Sequence, residues 1–124
     1  SDDEWKELEM ALGMSQAEAD DTGWRGINEG SKLAGNAGLW TDGALEYYPD
    51  FGTSGFSALP GGYRYSHGYF YSMGSYAYFR SSTESSIYSS YNAWSRVMYY
   101  DEAGVYRYAY FDKEWGFSVR CVKD

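Results

Sequence analysis

The order of its local patterns assigns this chain to the α+β class. Apolar residues recur at helical spacing near the N terminus, behind a strong start signal. From about residue 68 the spacing changes to two, the period of a strand. Helical patterns first and strand patterns later make the α+β arrangement. At 124 residues the chain reads as one domain, 1–124, long enough to bury a core.

Ser1-Asp2-Asp3-Glu4 has the form of a capping box, with Ser1 as N-cap and Glu4 reaching back. Trp5, Leu8 and Leu12 then share one helical face, and Gly13 ends the helix. Ser15-Gln16-Ala17-Glu18 repeats the start signal for a second, short helix. Acidic groups crowd both first turns, where the helix dipole favours them.

Between Asp20 and Gly62 glycines interrupt every pattern, with Trp24, Trp40, Tyr47, Tyr48 and Phe51 scattered among them. A long folded loop pinned by aromatics is expected, with a short strand at 56–59 and a turn at Pro60-Gly61-Gly62. Strands are expected at about 68–72, 76–82, 93–100, 104–111 and 116–122. Asp101-Glu102-Ala103-Gly104 and the segment 112–116 read as hairpin connections, each closing on a glycine free to take positive φ. The last three strands would form an antiparallel meander.

Tyrosines spaced two apart recur through these strands. In the run 105–111, Tyr106, Tyr108 and Tyr110 fall on one face. Val105, Arg107, Ala109 and Phe111 fall on the other. Tyr69 with Tyr71, and Tyr76 with Tyr78, keep the same rhythm. Cross-strand aromatic pairs stabilise sheets by roughly 0.2–1 kcal/mol each, which accounts for some of them. An apolar set already fills the alternate positions, so the remainder points to recognition. Tyrosine offers a large rigid contact surface with a polar tip.

Fifteen glycines and 21% aromatic residues describe a folded, turn-rich chain rather than a disordered one. No apolar run approaches the roughly 20 residues of a membrane span. No secretory leader is visible, nor would a mature chain show one, so compartment is undecided by residues alone. Net charge is −8, and residues 1–60 hold three basic against twelve acidic groups. Such a half repels phosphate backbones and argues against nucleic acid as a partner. The tyrosine-rich half is nearly balanced, which suits a protein or glycan ligand. Cys121 is the sole cysteine, so no internal disulfide can form and no zinc site of four protein ligands is expected. Its phase with Phe117 and Val119 places it in the core as a small hydrophobe.

No catalytic constellation emerges. His67 is the only histidine, in a Ser-His-Gly turn without a recognised serine nucleophile motif, and reads as a turn or contact residue. Asp42, Glu46 and Asp50, with Asp20-Asp21, offer oxygen ligands in loops, but the calcium-loop pattern is missing. Neither a cofactor nor a metal is expected. Arg64, Arg96, Arg107 and Arg120 read as structural guanidiniums, stacked on aromatics or paired with Glu84. The five tryptophans read as core, Trp94 above all.

Several segments in order resemble one family. They include Ser1-Asp2-Asp3-Glu4-Trp5, Trp24-Arg25-Gly26, Glu29-Gly30-Ser31-Lys32-Leu33, the run 55–64 (GFSALPGGYR), Ser81-Ser82-Thr83-Glu84, Ala93-Trp94 with Arg96, and the run 116–122 (GFSVRCV). Together they resemble the Fibrobacter succinogenes major paralogous domain, found in bacterial exported proteins. The resemblance implies a C-type lectin-like fold, akin to formylglycine-generating sulfatase modifiers. It implies two helices flanking a twisted, mostly antiparallel sheet, with long binding loops. It also implies extracellular or cell-surface display. This chain departs in having Arg80 where the family usually has tryptophan. It also lacks the strand and Cys-Pro-x-Gly-Trp-His segment that usually come first, so the resemblance leaves Cys121 without its partner. Three readings follow: a fragment, a trimmed product, or a chain that takes this strand from another molecule.

The same fold carries the variable proteins of diversity-generating retroelements, which display Tyr- and Ser-rich positions on a stable framework. By that analogy a diversified ligand-binding face is expected between Tyr65 and Tyr110. Its expected members are Tyr65, His67, Tyr69, Tyr71, Tyr76, Tyr78, Arg80, Tyr88, Tyr91, Tyr99, Asp101, Tyr106, Tyr108 and Tyr110. The expected function is non-catalytic binding of a protein or glycan. The rivals are an assembly domain whose aromatic face packs on another domain or copy, and a sulfatase-modifying type of enzyme. The single cysteine argues against the latter.

Overall fold

A computed structural model describes residues 1–121. Helix α1 (Asp2–Leu12) opens on the expected capping box: Ser1 Oγ accepts from Glu4 N, and Glu4 reaches back to the N-cap backbone. Gly13 closes it with φ 133°. Helix α2 (Gln16–Asp20) repeats the device with Ser15 and Glu18. Both helices thereby satisfy backbone donors that would otherwise be orphaned.

The loop region holds more regular structure than its glycines suggest. Strand β1 (Gly23–Arg25), helix α3 (Glu29–Leu33), a 3-10 turn at Ala37–Leu39 and helix α4 (Ala44–Tyr47) all lie within it. Each is five residues or fewer, too short to show a periodic signal. The expected strand at 56–59 is reduced to a single bridge between Ala34 and Ala58. Hairpin β2 (Tyr63–Arg64) with β3 (Phe70–Tyr71) follows.

The main sheet comprises β4 (Tyr76–Glu84), β5 (Ala93–Tyr99) and β6 (Glu102–Tyr108), with β1 added beside β6 in the order β1-β6-β5-β4. All these pairs are antiparallel. The chain is therefore α+β, but the meander is β4-β5-β6 rather than the last three expected strands. Within the described part of 116–122 only single bridges form, Gly116 to Arg64 and Ser118 to Phe79; residue 122 lies outside the described residues. That segment runs beside the β4 edge, and its pairing stops at Ser118. Val119, 72% exposed, and Cys121 therefore face solvent instead of the core.

Neither hairpin glycine takes positive φ. Gly104 is required for a different reason: a Cβ there would stand 2.6 Å from the Arg25 carbonyl oxygen. Glycine lets β1 approach β6 that closely.

One face of the sheet carries Ala77, Phe79, Met98 and Val105 into the core, against Met14, Leu33, Trp40 and Leu45. Trp5, Leu8 and Leu12 of α1 pack on it, and Trp5 meets Phe79 with ring centroids 5.7 Å apart. The same face carries charge. Glu9 Oε1 accepts from Arg25 Nη2 at 2.7 Å and from Arg96 Nε at 2.6 Å. Asp2 accepts from Arg96 Nη1 at 2.6 Å and from Arg107 Nη2 at 2.7 Å. All five of these residues are buried. Arg107 also donates to the Asp20 and Asp21 carbonyls, capping α2, and stacks 3.7 Å from the Trp94 ring centre. The structural reading of Arg96 and Arg107 is correct, whereas Glu84 pairs with Lys113 rather than with an arginine.

Burial opposes ionisation of Asp2, but the hydrogen bonds and charges of Arg107 and Arg96 outweigh it and lower its pKa. Arg25 Nε is the one buried side-chain nitrogen or oxygen left without a partner among the described residues. No helix among the described residues is long and apolar enough to cross a membrane.

Candidate recognition surface

The opposite face of the same strands is aromatic, and its rows follow from the register. Residues paired directly across antiparallel strands share a face. One row runs Trp24–Tyr106–Val97–Tyr78, a second Tyr76–Tyr99–Glu102, and a third Arg80–Ser95–Tyr108. Val97, between Tyr106 and Tyr78, and Ser95, between Tyr108 and Arg80, are buried. The phase read from residues 105–108 is therefore correct: Val105 and Arg107 are buried, while Tyr106 and Tyr108 are half-buried on the other side. Phe111 departs from it. Strand β6 stops at Tyr108, so Phe111 turns back to meet Tyr78, Tyr108, Trp115 and Phe117 on the tyrosine side.

These ring contacts join the strands to the loops. Tyr63 stacks on Tyr71 at 5.5 Å and on Trp115 at 5.4 Å, and meets Tyr78 edge-on at 5.1 Å. Tyr76 stacks on Tyr99 at 4.5 Å. Tyr88 reaches Tyr108 and Tyr110. His67 lies between Tyr65 at 4.6 Å and Tyr69 at 5.1 Å. Eleven of the fourteen expected residues thus belong to one continuous network of ring contacts; Arg80, Tyr91 and Asp101 do not.

None of the fourteen is buried. His67, Tyr69, Tyr71, Tyr88, Tyr91, Asp101 and Tyr110 are exposed, and Tyr65, Tyr76, Tyr78, Arg80, Tyr99, Tyr106 and Tyr108 are half-buried. Exposure is uneven by design of the contacts. Tyr78 sits under Tyr63, Phe111 and Phe117, and burial pushes its phenol well above the usual range. Tyr91 is 77% exposed and touches no other ring of the network. The 69–71 rhythm does not divide faces, because the two-stranded hairpin leaves Tyr69, Phe70 and Tyr71 all exposed.

Two expected members have structural duties. Arg80 donates to the carbonyls of Phe111, Asp112 and Trp115 at 2.7, 2.8 and 3.1 Å, with its guanidinium 4.2 Å from the Phe117 ring centre. It anchors the 111–117 loop onto the sheet. Asp101 accepts from Ala44 N at 3.3 Å, at the start of α4.

Sequence reasoning missed Trp24, Tyr63, Phe111, Trp115 and Phe117 as parts of this face. Trp24 stands out, 44% exposed where core was expected, because its row ends at the sheet edge beside Tyr106. Of the other tryptophans, Trp40 and Trp94 are buried and Trp115 is half-buried among the tyrosines. The signal for Trp24 was its position next to Gly23, but a three-residue strand is not legible as one.

Chemically, the face can stack on flat or apolar groups and exchange hydrogen bonds through phenols. Hydrogen bonding with Tyr88 and burial push the Tyr108 phenol up to about 12, so it stays protonated at neutral pH. No carboxylate or hydroxyl is hydrogen-bonded to the His67 ring among the described residues. Asp50 accepts from Asn28 Nδ2 at 2.7 Å, and no three His, Cys, Asp or Glu side chains converge as a metal set among the described residues.

No curated protein and no solved structure matches the chain. A family model does match, over residues 1–123, nearly the whole sequence. The chain belongs to the Fibrobacter succinogenes major domain family.

Proposed function

We propose that this domain is a non-catalytic binding module whose Tyr- and Ser-rich sheet face contacts a protein or glycan ligand. The observation that carries the proposal is the continuity of the aromatic face: one network of rings, none of its expected members buried, on the side of the sheet away from the helices. A face needed only for packing would be covered by its own chain. The tyrosines have the rigidity and amphipathic character of paratope residues.

The family membership and the helix-backed sheet support a C-type lectin-like relationship, with the 62–75, 84–92 and 109–117 segments as binding loops. On this reading the domain is displayed outside the cell, and its Tyr and Ser positions are the ones that vary between sister copies. Probing glycan and peptide arrays with the native chain and with a Tyr106→Ser/Tyr108→Ser/Tyr110→Ser variant tests the binding role. The expected result is a set of ligands held by the native chain and lost by the folded variant. Ligands retained unchanged by the variant would place binding elsewhere.

A further inference from the structure

Resting on that binding role, we propose that the ligand is a protein surface presenting lysine or arginine side chains to the aromatic face. The argument starts from where the charges end up. Most of the cations are engaged: Arg25, Arg96 and Arg107 are buried, and Arg80 is locked onto loop carbonyls, while Arg64 stays exposed on the β2 strand. Lys32 donates to the Leu12 carbonyl and Arg120 to that of Phe56. Lys6 pairs with Asp20, and Lys113 with Glu84. The buried cluster holds three arginines against Asp2 and Glu9, one positive charge in excess. Buried Glu29 offsets that excess, so the −8 of the whole lies on groups that are partly or fully exposed.

Carboxylates border the rings along the strand direction. Glu102 is in register with Tyr99 and Tyr76, on the aromatic face itself, and exposed Asp101 precedes it. Beyond the other end of β6, Asp112 and Glu114 are exposed next to the rings of Phe111 and Trp115. Ring faces attract ammonium and guanidinium groups, and carboxylates alongside supply the counter-charge. Phenol oxygens accept hydrogen bonds from the same donors.

Two further observations select a protein. Exposed Phe70, Met73 and Ile87 lie in the segments that carry Tyr69, Tyr71 and Tyr88, with Phe70 in register with Arg64. They suit aliphatic and aromatic side chains, and would leave sugar hydroxyls unpaired. A second copy would bring the same acidic border against itself, and a nucleic acid would bring phosphates, so both are repelled.

Three synthetic peptides of equal length and apolar content, with arginine, serine or glutamate at four alternating positions, provide the test. Binding is read from the chain's tryptophan fluorescence, to which Trp24 and Trp115 contribute from the face itself, at low and at 0.5 M salt. The arginine peptide is expected to bind at least tenfold more tightly than the serine peptide, with the advantage lost at high salt. Asp101→Asn/Glu102→Gln/Glu114→Gln should remove most of that advantage, and Tyr106→Ser/Tyr108→Ser should abolish binding. Asp3→Asn/Glu7→Gln, on α1, should change nothing. Equal weakening by the α1 variant would mean attraction to bulk charge and overturn the proposal. So would equal affinity for the arginine and serine peptides, although the binding role would then stand. Binding of immobilised glycans with all three peptides silent would overturn the partner class alone. Silence of peptides and glycans alike would count against both readings.

Discussion

The two faces of one sheet use their side chains in opposite ways. Toward the helices, β5 and β6 send Arg96 and Arg107 into a buried set of ion pairs with Asp2 and Glu9. Toward the loops, the neighbouring positions carry tyrosines that stay partly wet. Charge on the inner face must be paired, because an unpaired buried charge is costly, and Arg25 Nε alone among the buried side-chain nitrogens and oxygens of the described residues goes without a partner. Rings on the outer face carry no formal charge and need no such counter-ion. Ion pairing thus holds one side of the sheet, and contacts between rings hold the other.

The inner face makes the strongest prediction. Glu9→Ala strands Arg25 and Arg96 without their shared counter-charge, and about 3–5 kcal/mol of stability should be lost. Urea unfolding midpoints measure it; a loss under about 1 kcal/mol would show that this face is not sealed by charge.

Tyr78→Ala should fall between the faces, since Tyr78 is the outer ring most covered by its neighbours. A cost of about 2 kcal/mol is expected, below the roughly 3–5 of a fully buried ring. A negligible cost would show that the rings beneath the loops do not form a second packed layer.

Acid should weaken the inner face. Asp2 has a folded pKa below its ordinary 3.8. Its ionisation therefore stabilises the fold above the unfolded pKa, and that contribution disappears as pH falls through the lowered folded value. Melting temperature against pH should show an acid limb below about pH 4. Asp2→Asn should be less stable at neutral pH and show a shallower limb. An unchanged limb would assign acid sensitivity to other carboxylates.

The smallest effects belong to the most exposed rings. Tyr69→Ser and Tyr91→Ser, at positions 69% and 77% exposed, should alter stability by no more than about 0.5 kcal/mol. A cost matching that of Tyr78→Ala would make these rings part of the packing and erase the contrast between the faces.

The residues alone determined the α1 and α2 caps, the α+β order and the in-out phase of 105–108, because each depends on spacings of two to four residues. They did not reveal β1, α3 or α4, which are too short to establish a period, nor the failure of pairing beyond Ser118. Tertiary structure decided what covers each face. Asp2 meets Arg107 across 105 positions, and Phe111 turns toward Tyr78 only because β6 ends early. Local spacing sets which neighbours point the same way. Whether a given side ends up dry, charged or wet depends on segments brought together from far along the chain, which no local pattern encodes.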